Sequence, residues 1–349
     1  MPTKSENLVS RIERYSPQLA LEARIALAES QPTREDFNES FSINSGASNK
    51  SKKIEYSFAV TSFLHELLRF LELSSSVTPL IPEQLGTSIE IVLSLIGRLV
   101  YEAPDGFGVC ERNPKEELAQ FARLLLHAQL TATHVPVVVP VCPDMDQYVL
   151  RDGLGTVIPK ALGAIATLKQ FFAQSGIAPA ITIHLADVEG FDPVILHNSR
   201  ETTASHRAKT QITLQKTRQA INALGLHEVS ALMMSDVFKQ KDLDYLQLQD
   251  RTVRQLNNAP NVRTRKVIEG LLTERKRLGN FDHIREEDHY GIVTAELAGY
   301  AAYGEVIAGS AIILSPDALS ATPAYQFSLQ DKNKYSPVIT VRSRPASKQ

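Results

Sequence analysis

Val135 to Cys142 (Val-Pro-Val-Val-Val-Pro-Val-Cys) is apolar at nearly every position. Side chains of a strand alternate between the two faces of a sheet, so a strand with one wet face reads as alternating apolar and polar residues. A run with no alternation needs both faces covered. That is the situation of a parallel sheet lying between helices, and it makes this an α/β chain. The period around the run agrees. A helix is expected over Thr156 to Gln174, with Val157, Ala161, Ile165, Leu168 and Phe172 on one face, Pro159 in its first turn and Ser175-Gly176 closing it. A second buried strand follows at Ala180 to Ala186, then a helix at Ser205 to Ala223 and a third strand at His227 to Met234. Fourth and fifth strands are expected at Ser310 to Leu314 and Pro337 to Val341. Strands alternating with helices predict an α/β fold: an open, mainly parallel, doubly wound (Rossmann-like) sheet of about five strands.

The first 130 residues read differently. Helical spacing is expected over residues 5 to 30, Ile54 to Leu73, Ser88 to Tyr101, and from Pro114 to about Leu130. Ser42 to Lys53 is small, polar and aperiodic, as a linker is, and Pro104 to Gly108 is expected to form a turn. The organisation that follows is a helical N-terminal region at 1–130, either a separate bundle or a layer packed on the same core, and an α/β domain at 131–345 with a helical insert at 237–308.

Composition excludes some classes. The apolar content of 43% and charged content of 22% are those of a globular protein, and a net charge of −2 argues against a broad nucleic-acid-binding surface. Cys110 and Cys142 imply no disulfide framework, and a reducing, cytoplasmic setting is expected. The N-terminal residues show no apolar stretch followed by a cleavage site. The most membrane-like window, Ala295 to Leu314, carries Glu296 and Glu305, so no membrane span is expected.

Candidate chemistry gathers where strands end. Four expected strands terminate in Asp144, Asp187, Asp236 and Asp317, at the edge where parallel sheets bind their ligands. For Ser235-Asp236 and Ser315-Pro316-Asp317, capping of the next helix is the simpler role. Asp187 and Glu189 precede Gly190 with no helix at once, and residues two apart in extended chain face the same way. Together they could hold Mg2+ or Mn2+, or hydrogen-bond loop amides. This Asp-x-Glu resembles the metal-binding Asp-x-Asp of nucleotide-sugar glycosyltransferases, a resemblance that implies a metal site. Cys142 could display a nucleophilic thiol, but His134 lies about 26 Å away along a regular strand and cannot be its base. A small buried hydrophobe is the alternative.

The turn Asp152-Gly-Leu-Gly-Thr156 opens a helix, and Gly153, Gly155, Thr156 and Lys160 could cradle a phosphate or carboxylate. Neither a Walker nor a complete dinucleotide fingerprint is present. Eight Lys or Arg between Arg251 and Arg277 crowd the insert, and Arg263 and Arg265 among them are candidates to clamp a phosphate. A solvated helix face is the other reading of such a run. Glu296, Tyr300 and Tyr303 share one helix face at i, i+4 and i+7 and could orient a substrate amine or hydroxyl; a half-buried face with the phenols reaching water is the alternative.

The order strand, Pro143-Asp144-Met145, long helix, strand ending in Asp187 is similar to the corresponding region of bacterial isocyanide synthases, although the lysine-containing loop expected before Pro-Asp-Met is absent. Glu296 with Tyr300 resembles the Tyr/Glu pairing of cyclodipeptide synthases. These resemblances imply an amino-acid-derived natural-product synthase. From the residues themselves, the leading expectation is a transferase-like enzyme acting on an activated phosphate-bearing small molecule. In it Asp144, Glu296, Tyr300 and Cys142 are the candidate catalytic groups. A non-enzymatic binding or adaptor protein using its N-terminal helices is the third expectation.

Overall fold

A computed structural model describes residues 4–30, 57, 60–61, 63–65, 67–69, 71–72, 91–98, 107–109, 114–131, 133–141, 154, 157–187, 203–258, 262–277, 279, 281–307, 309–315 and 336–341. It is an α/β protein built on a mixed, mostly parallel sheet of six strands. The strands are β1 (Phe107–Val109), β2 (Val135–Val141), β3 (Pro179–Leu185), β4 (Val229–Met233), β5 (Ile312–Ser315) and β6 (Val338–Val341), in spatial order β1-β6-β5-β2-β3-β4. The five anticipated strands are present. The sixth corrects the expectation of about five: Phe107 and Gly108, read as the end of a turn, start β1. A three-residue strand at a sheet edge has too few positions to show alternation, and its Gly reads as a turn.

The chain divides into two compact units, Met1–Pro136 with Thr167–Pro179 and Pro337–Ile339, and Val137–Ala166 with Ala180–Ser336 and Thr340–Gln349. In the first unit, helices α1 (Lys4–Glu13) and α2 (Pro17–Ser30) form a hairpin around buried Leu8, Ile12, Leu19 and Ala23. Ser16 caps α2 by accepting the Leu19 N–H on Oγ at 3.3 Å, and Pro17 takes the first helical position, where no N–H is needed. The described residues between 57 and 72 are helical and bury Phe63, Leu64, Leu67, Leu68 and Leu71, the stripe expected from their spacing. Helix α3 (Pro114–Leu130) carries Glu117, 1% exposed, which accepts the Val338 N–H at 3.2 Å at the start of β6. Arg98 stacks over Phe171 and donates to Ser175 Oγ at 2.8 Å.

In the second unit β2 pairs in parallel with β5 (Val137 opposite Ile312), and β3 with β4 (Ile181 opposite Val229 through Leu185 opposite Met233). Helix α4 (Val157–Ala173), whose residues from Thr167 onward belong to the first unit, precedes β3, and α5 (Thr203–Ala223) precedes β4. Both helices stop the same way. Gly176 (φ 70°) and Gly225 (φ 66°) take the left-handed conformation, while Ile177 donates to Phe172 O and Leu226 to Ile221 O. These are Schellman turns, and they deliver the chain straight into the next strand. β4 is a sheet edge, and Arg218 of α5 occupies one of its outward carbonyls, Ala231 O, through Nε at 3.2 Å and Nη2 at 2.9 Å.

The insert holds α6 (Met234–Gln240), α7 (Tyr245–Asn258), α8 (Val262–Arg277) and α9 (Glu286–Ile307). α9 is apolar nearly all round and packs against α6, α7 and α8, as a central helix must. No helix among the described residues is long and apolar enough to cross a membrane.

Ile313, fully buried in β5, tests the core. Ile313→Ala should lower unfolding free energy by about 2–5 kcal/mol, read as a reduced urea midpoint with an unchanged m-value.

Candidate functional site

The strand register decides what meets at the sheet's edge. Leu185 lies opposite Met233, so the residue two beyond each, Asp187 and Ser235, are level. Ala186 N donates to Val141 O at 2.9 Å, which brings the end of β2 to the same place. β4 passes into α6 with no intervening loop. The N-cap position of α6 is therefore Met233, which has no polar side chain and makes no side-chain cap. The opening N–H groups of that helix need an acceptor from elsewhere. Asp187 supplies it: Oδ1 accepts the Ser235 N–H at 2.8 Å, and Oδ2 accepts the Ser235 hydroxyl at 2.5 Å. The carboxylate is fully buried, and Arg207 Nε of α5 stands 3.8 Å from Oδ2. Ser235 and Asp236, expected to cap α6, instead lie inside its first turn, where Asp236 pairs with Lys239 at 3.8 Å.

Three residues before Asp187, the alternate face of β3 becomes chemically distinct. Ala180 is exposed, Thr182 is half-buried and bonded to Ser230, and His184 is only 5% exposed. Tyr303 of α9, with no exposed surface, covers it: His184 Nδ1 and Tyr303 Oη are 2.6 Å apart, with the rings edge to face. Burial lowers the imidazole pKa from 6.5 to about 4, because the charged form loses its hydration. His184 is thus neutral at pH 7. One ring nitrogen is committed to the phenol and the other retains either a proton or a lone pair.

Farther along α9, Glu296 is also fully buried, and Arg275 of α8 grips it through Nε at 3.3 Å and a shorter contact from Nη2. The fork matches a carboxylate's two oxygens. Tyr300, 4% exposed, lies one turn on. The Glu296, Tyr300 and Tyr303 face is accordingly interior, and the Tyr303 phenol reaches a buried histidine rather than water. An insert arginine does meet a carboxylate, but it belongs to the protein.

Other anticipated residues are placed less informatively. Lys160 is half-buried on α4, Arg265 is exposed on α8, and the Arg263 side chain lies outside the described residues. Cys142, Asp144, Gly153, Gly155, Thr156 and Glu189 also lie outside them, as does Asp317. Among the described residues no group of three or more His, Cys, Asp or Glu could hold a metal ion, and both oxygens of Asp187 already accept from Ser235.

The structure adds His184, Arg275, His206 and Arg207 to the site. His206 is 6% exposed and its Nδ1 has no hydrogen-bond partner among the described residues. Its signal was in the sequence. Thr203–Ala223 carries His206, Arg207 and Lys209 in its opening turns and contains no Asp or Glu, the reverse of what a helix N-terminus favours.

Two outcomes follow from these burials. Below pH 6.5 an unfolded chain protonates His184 while the folded one does not until about pH 4, so stability is fully present above 6.5 and declines as pH falls through this window. The decline attributable to His184 is up to about 3 kcal/mol, and His184→Gln should flatten it in a comparison of urea midpoints against pH. Arg275→Met, which leaves the Glu296 carboxylate without its arginine, should cost about 3–5 kcal/mol, and adding Glu296→Met should restore much of that loss. No family model matches the chain, and neither a curated protein nor a solved structure matches it significantly.

Proposed function

We propose that the protein is a transferase-like enzyme acting on an activated, phosphate-bearing small molecule at the C-terminal edge of its sheet. The observation that carries this reading is the set of buried polar pairs on β3 and α9: Asp187 with Ser235 and Arg207, His184 with Tyr303, and Glu296 with Arg275. Burying ionisable groups opposes folding, and such clusters are found disproportionately where chemistry is done. The strand order supports the same location. β2, β3 and β4 step outward one way and β5 and β6 the other, which fits a doubly wound, Rossmann-like sheet whose direction reverses between β2 and β5. Ligands of such sheets bind outside the strand ends at that reversal.

In this reading His184, neutral and oriented by Tyr303, exchanges a proton or a hydrogen bond with the substrate through its other ring nitrogen. Asp187 is a positioning residue that holds α6 and Arg207 in place. Glu296, gripped by Arg275, supports α9 rather than acting as a base. Positive charge for the phosphate comes from arginine, so Mg2+ or Mn2+ is a variable of the test and not a premise of it.

The test is the thermal midpoint of the metal-stripped, full-length protein with nucleotides, nucleotide sugars, aminoacyl donors and phosphorylated metabolites, each with and without Mg2+ or Mn2+. A ligand of the native state at about 100 times its Kd adds ~2.7 kcal/mol. One phosphate-bearing class is expected to raise the midpoint by an amount a melt resolves. A flat response across every class would remove the enzyme reading and turn attention to a protein partner.

A further inference from the structure

We propose that the N-terminal turn of α5, with His206 and Arg207, is the subsite that binds the substrate's phosphate. This inference rests on the function proposed above and assigns its anion to specific residues.

The placement comes first. α5 runs back along β4, and its residue Arg218 is bonded to Ala231 O. His206 is twelve residues earlier, about 18 Å along the helix axis. That distance corresponds to roughly five residues of strand, beyond the tip of β4 at Met233. The contact of Arg207 with Asp187 fixes the same end of α5 beside the end of β3. The start of α5 therefore stands at the sheet edge, with the positive end of its dipole directed there.

The side chains supply the second observation. His206 leads the buried stripe of α5. Below it Thr210, Thr213 and Thr217 donate their hydroxyls to the carbonyls of His206, Lys209 and Thr213. His206 Nδ1 is buried and has nothing to bond among the described residues. Side chains of a helix lean toward its N-terminus, so an imidazole in the first turn lies over the opening N–H groups rather than down the stripe. A buried ring nitrogen without a partner loses stability unless a ligand completes it. Arg207 is 56% exposed and touches Asp187 only at 3.8 Å, a charge contact too long for a hydrogen bond, so its guanidinium fork remains open to a phosphate. The Asp187 oxygens accept from Ser235 at the start of α6, and the carboxylate keeps its negative charge beside Arg207 Nε, so the bound anion must draw on Arg207 from the side away from Asp187.

Charge is the third observation. A helix with His206, Arg207 and Lys209 at its positive end and no acidic residue anywhere along it opposes its own dipole. A bound dianion reverses the sign of that conflict. A phosphate monoester or a pyrophosphate accepts from His206 Nδ1–H and from Arg207 while facing the helix terminus.

Calorimetric titration of the full-length protein with inorganic pyrophosphate tests the assignment, using wild type, His206→Ala, Arg207→Met and Arg265→Met, each checked for native circular dichroism. Wild type is expected to bind, with His206→Ala and Arg207→Met each weakening binding about tenfold or more, the size of one hydrogen bond to a charged group. Nitrogen-15 spectra of the wild-type histidines give a readout that no variant's folding affects: pyrophosphate should move the His206 Nδ1 resonance. Binding that survives in both α5 variants, that is lost in Arg265→Met instead, or that leaves the His206 resonance unmoved overturns the subsite. If the ligand panel still shifts the melt, the enzyme reading stands without it. If neither pyrophosphate nor any panel member binds, both fall.

Discussion

The Asp187 carboxylate is the contact on which the edge of this protein depends. β4 runs into α6 with no residue between them that could cap the helix, and Met233 occupies the cap position. The opening amide of that helix would be buried without an acceptor if β3 did not end level with it. Asp187 resolves the problem from a neighbouring strand, taking both the amide and the hydroxyl of Ser235. A missing cap costs about 1 kcal/mol, and a buried amide without a partner costs about 1–3 kcal/mol. The same carboxylate holds Arg207 at the head of α5. One side chain thus sets the relation of β3, α5 and α6.

That economy leaves the edge rich in buried polar atoms. A neutral histidine under a tyrosine, a carboxylate clasped by an arginine and an imidazole nitrogen with no partner all oppose folding in isolation. Each is tolerable because rigid elements fix its neighbours: β3 and α9 hold His184 against Tyr303, while α8 and α9 hold Arg275 against Glu296. Preorganised polar groups at fixed separations are what a small-molecule site requires, and they cannot be supplied by a surface that rearranges.

Much of the fold was legible because burial writes itself into spacing. The unalternating run at Val135, the stripe from Val157 to Phe172 and the glycine at 176 mark β2, α4 and the end of that helix by local physics alone. β1 was not legible, since three residues containing a glycine carry no period. Asp187 and Glu296 stood out in the sequence, but their pairing with Ser235 and Arg275 did not. Ser235 was expected to serve its own helix, yet register handed that task to Asp187, forty-eight positions earlier. His206 and Arg207 were passed over, although the helix was expected from Ser205, because two basic residues in a polar stretch look like surface until the contact with Asp187 and the burial of the imidazole are known.

The sequence by itself determined that helices alternate with buried strands and that a carboxylate, Asp187, follows the end of β3, because side-chain period and turn chemistry act between residues a few positions apart. Only the tertiary structure decided which carboxylate caps which helix, which histidine loses its charge and which arginine is kept from solvent. Those outcomes depend on register between strands and on which helix covers which face, and both are set by contacts between residues distant in the chain.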